Sequence, residues 1–248
     1  MNSDEVDIDL FSDLTEEEVQ ANEARTQQLK SQRLESIEHF SKDPTKRSLA
    51  QNRLVFRHTY GRASPPPLTV PSLLSTAECQ AILSQVSQQN SEWLTSRHSA
   101  FATTDIPVAS IPNLAVSLPA LLNDRLLSKW IAPHFGFHPT RDLAFRDLFI
   151  VRYAHDAQRG LQMHTDGCLV SFNILLNSHT EFEGGGTIFE GVEKPVQIQQ
   201  GDCVIHDAHL QHGGMEVSSG VRLILVGFVD TVDTITKDSI GRSMARTM

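Results

Sequence analysis

The sequence predicts a mainly β fold with flanking helices, and three observations support this prediction. Hydrophobic residues make up 40% of the 248 residues, which is enough to build a sizeable core. Short apolar or alternating runs, separated by polar or glycine-containing turns, dominate the chain from Asp142 onward. Strands do not alternate with helices there, which favours a β-sandwich or barrel-like sheet over a doubly wound fold. The predicted strands are 143–153, 168–177, 186–192, 196–206 and 221–230.

Charge and composition weigh against several classes of protein. Asp and Glu number 30 against 21 Lys and Arg, and this excess disfavours a nucleic-acid binder, which needs clustered basic side chains. No run approaches the roughly 18 consecutive apolar residues that a membrane helix requires, so we expect no membrane partner. Cys79, Cys168 and Cys203 form no CxxC motif, and the N-terminus lacks the pattern of a secretory signal. We therefore expect an intracellular protein, cytoplasmic or nuclear.

Charge and proline content predict how the chain is divided. The first 50 residues carry 12 acidic and 6 basic side chains, which is typical of a solvated extension. Three consecutive prolines follow at 65–67, and such a run sustains neither helix nor central strand. The expected divisions are an acidic, partly helical or disordered extension (1–60), a Pro-rich linker (61–72), a folded domain (73–231, helical over 73–140 and β-rich over 141–231) and a polar tail (232–248).

Three helices are predicted from caps and periodicity. Capping boxes beginning at Thr15 and Ser75 predict helices that end near Phe40 and Gln89. Leucines at helical spacing predict a third helix over 114–131, whose apolar stripe we assign to the core. The first helix has no strict heptad, so it is either part of a solvated extension or a surface that binds an unknown partner.

A metal site is the first chemical hypothesis. His164 and Asp166 are separated by one residue, so on an extended segment both side chains point to one face and can hold one ion. The pair alone is a weak signal, and its alternative is a surface turn. His206, His209 and His212 are candidates for a third ligand, and the strand-then-loop pattern around them favours His212.

Arg222 suggests what such a site would bind. Two histidines and one carboxylate on one face of a metal form the facial triad of non-haem Fe(II) oxygenases, which leaves coordination positions open. A 2-keto diacid chelating the metal there needs a cation for its far carboxylate. Arg222 lies inside the apolar strand VRLILVGF, where a guanidinium is costly unless it is paired. The alternative is an edge-strand arginine that reaches water.

The order of several motifs resembles the catalytic domain of prolyl and lysyl hydroxylases, which are 2-oxoglutarate- and Fe(II)-dependent dioxygenases. The resemblance covers roughly residues 68–230 and is clearest over 145–230. It rests on the HxD pair, the distal histidine, an arginine ten residues later and the closing LVGF strand. The segments RYAHDAQRGLQMHTD and FEGGGTIF make the lysyl hydroxylase branch the more similar one.

This resemblance implies a distorted double-stranded β-helix, or jelly roll, with flanking helices. It implies that His164, Asp166 and His212 bind Fe(II), that Arg222 binds the far carboxylate of 2-oxoglutarate, and that O2 is the second co-substrate. Ascorbate is expected as an added reductant. Tyr153 stands where the family often has a tyrosine of the co-substrate pocket, and its alternative is a core tyrosine.

Two further residues are predicted beside 2-oxoglutarate. Ser171 and Asn173 lie two residues apart on the strand after the HxD turn, so they share one face, which we expect to point inward. Thr187 is a weaker candidate. Glycines 184–186 are expected to let the neighbouring hairpin turn close to the site, since no phosphate-loop Lys follows them.

The expected activity is hydroxylation of a prolyl or lysyl side chain of a protein or peptide, with release of succinate and CO2. One alternative is the same metal chemistry on a small molecule, a free amino acid or a nucleic-acid base. The other is a non-catalytic jelly-roll module that binds partners. The substrate-recognition loops match nothing in the family, so the sequence leaves the target residue open.

Overall fold

The computed structural model describes residues 15–61, 63–89, 92–98 and 100–245, with backbone only over 241–245. The chain forms two compact units, Met1–Asp43 and Pro44–Met248. In the first unit, helix α1 spans Glu16–Glu38. The predicted capping box is present, because Thr15 and Glu18 exchange side-chain and backbone hydrogen bonds. No residue of α1 is buried, so its apolar side chains face outward.

The helices of the second unit lie before residue 143, where two short strands separate them, or after residue 231. Their bounds are α2 Leu49–Tyr60, α3 Thr76–Gln88, α4 Pro112–Leu122, α5 Ala132–Phe135 and α6 Val232–Ala245. The capping box predicted at Ser75 is present, and a second one, at Ser48, begins α2. The single helix predicted over 114–131 is α4 followed by a π-helical segment, Asn123–Ile131. None of the described helices is long and apolar enough to cross a membrane.

The strands form two antiparallel sheets. Their bounds are β1 Leu68–Val70, β2 Asp105–Pro107, β3 Leu143–Ala154, β4 Leu161–His164, β5 Val170–Leu175, β6 Phe182–Gly184, β7 Thr187–Phe189, β8 Cys203–Asp207, β9 His212–Gly214 and β10 Val217–Thr231. The large sheet has the order β1-β8-β5-β10-β3-β2, with β6 pairing to one end of β10. The small sheet has the order β4-β9-β7. The mainly β prediction is confirmed.

The large sheet is buried on both faces, and β5 shows why. All six of its residues are buried, whereas an exposed sheet would alternate buried and exposed positions. Val170 and Ile174 point toward the helices and join the main core there. Ser171 and Asn173 point the other way, into a cavity between the two sheets. The helices therefore cover one face, and the other face lines the site.

The main core begins earlier in the chain than we predicted. Phe56 of α2 is buried and packs against Phe135 and Phe137, with ring centroids 5.8 and 5.5 Å apart. The second unit starts at Pro44, whereas the folded domain was expected from residue 73. At the other end, residues expected to form a polar tail form α6, which Arg146 contacts through a 2.7 Å ion pair to Asp238.

Candidate metal and co-substrate site

His164, Asp166 and His212 lie together, and their ligand atoms all fall within 4.8 Å of one another. His164 ends β4 and His212 begins β9, and the two residues are direct partners in the antiparallel ladder. Asp166 lies in the turn after β4, where its backbone N–H donates to the carbonyl of Ala208. Its two carboxylate oxygens lie 3.5 Å from Nε2 of His164 and 3.4 Å from Nε2 of His212.

Backbone contacts orient both imidazoles toward this cluster. Nδ1 of His164 lies 2.8 Å from the carbonyl oxygen of Gln162, and Nδ1 of His212 lies 2.9 Å from that of Leu210. A carbonyl oxygen only accepts, so each Nδ1 donates its proton to the backbone and each Nε2 faces the cluster, where a metal ion can take the place of a proton. Such contacts fix the tautomer and the ring orientation of metal-binding histidines.

Asp166 is held as a carboxylate. Burial alone would raise the pKa of this group, but contacts with His164 and His212 and a hydrogen bond from Ser171 hold the pKa well below its usual range. The Ser171 hydroxyl donates to Oδ2 of Asp166 at 2.5 Å. Two imidazole Nε2 atoms and one carboxylate are therefore directed at one point, which is the donor set of a divalent-metal facial triad.

The cluster opens into a cavity of about 860 Å³ between the two sheets. One wall of the cavity is the large sheet, and every second residue of its neighbouring strands β3 and β10 faces the cavity. Residues paired across these two strands therefore lie side by side on the wall. Arg222 lies opposite Tyr153 and Ile224 opposite Val151, as successive rungs. This arrangement follows from the period-two alternation of a β-strand.

Arg222 and Tyr153 form one end of this wall. Both are buried, with 2% and 4% of their surfaces exposed, and both line the cavity. Burial lowers the pKa of Arg222 and raises that of Tyr153 to about 12. Gly185 lies so close to the Arg222 stem that an added Cβ would be 2.8 Å from its Cδ. The guanidinium has no hydrogen bond or ion pair to any described residue, so it is available to a ligand.

All the other candidate residues from the sequence except His209 also line the cavity. Asn173 is buried, and its Oδ1 has no hydrogen-bond partner among the described groups. Thr187 of β7 is buried in the small sheet. His206 lies beside His212, with ring centroids 4.2 Å apart, but outside the three-residue cluster, and burial lowers its pKa to about 3. The side chain of His209 is 73% exposed and points away.

The structure adds cavity residues for which the sequence analysis gave no role. Arg97 donates to Asp105 and Asp147, at 2.6 Å each, and lies over the ring of Phe149. The Phe101 ring lies 4.9 Å from that of His164, next to the candidate metal cluster. These residues come from an irregular segment between α3 and β2, where no periodicity or motif could have indicated them. The alternation of β3, however, could have indicated Phe149.

Comparisons with known proteins identify similar sequences and a similar fold. No protein-family model matches the sequence. Over 179 residues the chain is 23% identical to a PKHD-type hydroxylase of Prochlorococcus marinus (strain MIT 9211), covering 66% of this chain and 78% of that protein. It is 36% identical over 89 residues to procollagen-lysine,2-oxoglutarate 5-dioxygenase 2 of Homo sapiens, covering 33% of this chain but only 12% of that protein.

A solved structure shows the same fold. An oxidoreductase of the 2OG-Fe(II) oxygenase family from Burkholderia pseudomallei superposes with a TM-score of 0.53 at 18% identity, covering 75% of this chain and 92% of that one. Fold and relatives indicate a class by similarity: the fold is a double-stranded β-helix, and the chain is similar in sequence to a hydroxylase and to a 2-oxoglutarate-dependent dioxygenase. Within that class, the resemblance to the prolyl and lysyl hydroxylases is confirmed.

Proposed function

We propose that this protein hydroxylates a prolyl or lysyl side chain of a protein or peptide, using Fe(II), 2-oxoglutarate and O2 and releasing succinate and CO2. The observation that carries the proposal is the pairing of two features in one cavity. The first is the cluster of His164, Asp166 and His212, and the second is the buried guanidinium of Arg222. A chelating keto diacid needs both a metal and a distant cation.

The residues present fit both groups. A buried guanidinium without a protein partner is costly, and a dicarboxylate would supply a bidentate partner in the cavity. Gly214 packs against the Tyr153 hydroxyl, since its Cβ position lies 3.3 Å from that oxygen, and Tyr153 is the ladder partner of Arg222. Gly214 and His212 are two residues apart on β9, or about 7 Å, a distance that 2-oxoglutarate can span.

Each side chain has a definite task in this proposal. When bound, Fe(II) and 2-oxoglutarate supply the O2-dependent oxidising chemistry. His164, Asp166 and His212 would hold the metal on one side, leaving the positions that face the cavity open. Arg222 would bind the far carboxylate, with the Tyr153 hydroxyl and the unpaired Oδ1 of Asn173 lining the same wall.

The size and walls of the cavity support a substrate larger than a free amino acid. About 860 Å³ is near the upper end of the usual range for ligand pockets. Beyond the 2-oxoglutarate position, the wall carries Phe101, Phe149 and Phe228, which can enclose an apolar ring or methylene chain. The procollagen-lysine enzyme matched above is named for a protein substrate, which also favours a peptide.

Anaerobic titration with Fe(II) and 2-oxoglutarate, followed by admission of O2, tests the proposal. We expect a visible charge-transfer band and then succinate release, with ascorbate sustaining turnover. The band should vanish in His164→Ala and weaken in Arg222→Ala. A peptide panel containing matched prolyl, lysyl and alanyl variants, analysed for a mass gain of one oxygen, then identifies the target.

The alternatives give different results in the same experiment. Succinate release without hydroxylation of any peptide, but with oxidation of a small molecule, would assign the chemistry to another substrate class. Absence of both the band and succinate at every 2-oxoglutarate concentration would refute the enzyme and favour a binding module. Succinate formed equally by wild type and His164→Ala would reveal a contaminating activity.

A further inference from the structure

We propose that Asn177 is a positioning residue, which sets the direction of Arg222 and so the selectivity of the site for dicarboxylates. This inference rests on the proposed function, in which Arg222 binds the far carboxylate of 2-oxoglutarate. Asn177 follows β5, is 1% exposed and does not line the cavity. Its action on a ligand is therefore indirect.

The β10 strand has a gap in its pairing just at Arg222. On one edge β10 pairs with β5 from Ile224 onward, and with β6 up to Gly220. Between these two partners, residues 221–223 have no strand beside them on that edge. Buried backbone groups in such a gap need other hydrogen-bond partners.

Asn177 fills this gap from both sides of Arg222. Its side-chain amide donates to the carbonyl oxygen of Val221 at 2.8 Å, and its carbonyl oxygen accepts from the N–H of Leu223 at 2.8 Å. The backbone N–H of Leu176 also donates to the carbonyl of Leu223 at 2.9 Å, which extends the ladder by one bond. The amide of Asn177 thus replaces the missing strand partner.

These bonds fix the side chain between them. The two bonds hold the backbone on both sides of Arg222 in extended strand geometry, and in this geometry the Arg222 side chain faces the cavity. On the other edge Arg222 pairs with Tyr153, and its stem lies against Gly185. With Asn177 removed, the strand could rotate locally and the guanidinium would lose its fixed position.

The test compares two keto acids that differ in the far carboxylate. The affinities of Ni(II)-loaded protein for 2-oxoglutarate and for 2-oxobutanoate are measured by calorimetry, and their ratio reports the carboxylate contact alone. We expect Arg222→Ala to abolish the preference for 2-oxoglutarate, and Asn177→Ala to reduce the ratio about 10-fold, since small misplacements of a binding group cost 10- to 100-fold. Ni(II) affinity should stay unchanged in Asn177→Ala.

A matched control separates positioning from general destabilisation. Asn52 is also buried and its side chain makes two hydrogen bonds, to Pro44 and Asp142, and none of these three residues lines the cavity. Asn52→Ala should lower stability yet leave the affinity ratio at the wild-type value. If Asn177→Ala does not fold, Asn177→Gln keeps both polar groups but displaces them by a methylene, and the ratio should again fall.

Failure of this inference is distinct from failure of the proposed function. A wild-type ratio in Asn177→Ala or Asn177→Gln, with the ratio lost in Arg222→Ala, would overturn the role of Asn177 alone. A wild-type ratio in Arg222→Ala would overturn the carboxylate site itself and the inference with it. Equal loss of both keto acids in Asn177→Ala would show a merely structural effect and would also overturn the proposal.

Discussion

The two faces of the large sheet are built from the same strands but have opposite chemistry. On the helix-covered face, Val170 and Ile174 of β5 are fully buried in a close-packed apolar core. On the cavity face, Ser171 and Asn173 of the same strand line the same cavity as a buried arginine, Arg222. Alternation along one strand therefore divides its residues into a group that packs in the core and a group that lines the cavity.

The contrast indicates which face stabilises the protein and which binds a ligand. Apolar burial on the helix side contributes roughly 1.5–3 kcal/mol per large side chain. The cavity side instead keeps polar groups that have no partner among the described residues, such as Oδ1 of Asn173, at a cost in stability. Substitutions on the two faces should accordingly separate folding from binding.

The largest expected effect is on the metal cluster itself. His164→Ala removes one of three candidate ligands, and we expect metal affinity to fall by well over the roughly 100-fold seen for changes outside the first ligand shell. Calorimetric titration with Ni(II) or Co(II) measures this. His209→Ala is the control, since its exposed side chain lies outside the cluster. Unchanged affinity in His164→Ala would contradict the site.

On the helix-covered face, Ile174→Ala should cost stability without affecting binding. Ile174 is fully buried, so truncation removes apolar contacts and leaves a cavity, at a cost of about 2–5 kcal/mol in the free energy of unfolding. Chemical denaturation measures the loss. Affinity of the folded variant for 2-oxoglutarate should stay within about threefold of wild type, because Ile174 does not line the cavity. Such a difference is well below the roughly 1.4 kcal/mol of binding free energy that gives a tenfold change. A large loss of affinity would show that the two faces are not separable.

On the cavity face, Arg222→Met should give the opposite result. We expect 2-oxoglutarate affinity to fall about 100-fold, since removing one partner of a buried charge pair costs about 2–5 kcal/mol. The unliganded variant should be as stable as wild type or more so, because an apolar side chain of similar length replaces a buried guanidinium without a described partner. Calorimetry and denaturation measured on one preparation test both halves. Marked destabilisation would mean that Arg222 is a structural residue.

Much of this cavity face could be predicted from the sequence, because the signals for it are local in the chain. Strand alternation and the HxD pair are local patterns, so they predicted strands such as β3, β5 and β10 and the pairing of His164 with Asp166. Arg222 was found because a charge inside an apolar run is costly and calls for a partner. The capping boxes at Thr15 and Ser75 were likewise visible, since both of their partners lie within one helical turn.

Features that depend on long-range contacts were not predicted. Phe56 joins the core through contacts with residues about 80 positions away, so its helix was assigned to the extension. Arg97 and Phe101 belong to an irregular segment, and only the folded chain brings them beside Phe149 and His164. Asn177 was passed over because its role depends on a gap between two strands that pair with β10.

The smallest effect expected on the cavity face is at Ser171, which was predicted to lie beside 2-oxoglutarate and donates instead to Oδ2 of Asp166. This bond occupies one carboxylate oxygen and restrains the rotation of Asp166. We expect Ser171→Ala to lower Ni(II) affinity about 10-fold, the lower end for groups that orient a metal ligand. The selectivity between 2-oxoglutarate and 2-oxobutanoate should stay unchanged, because Arg222 is untouched.

Ser171→Thr separates the hydroxyl from the mere presence of a side chain. It keeps the donor to Asp166 on a residue suited to a strand, so it should restore most of the metal affinity lost in Ser171→Ala. If both variants instead lose keto-acid selectivity while metal affinity is retained, Ser171 contacts the co-substrate, as the sequence predicted. The cavity face would then bind the keto acid through β5 as well as through β10, and the hydrogen bond to Asp166 would be secondary.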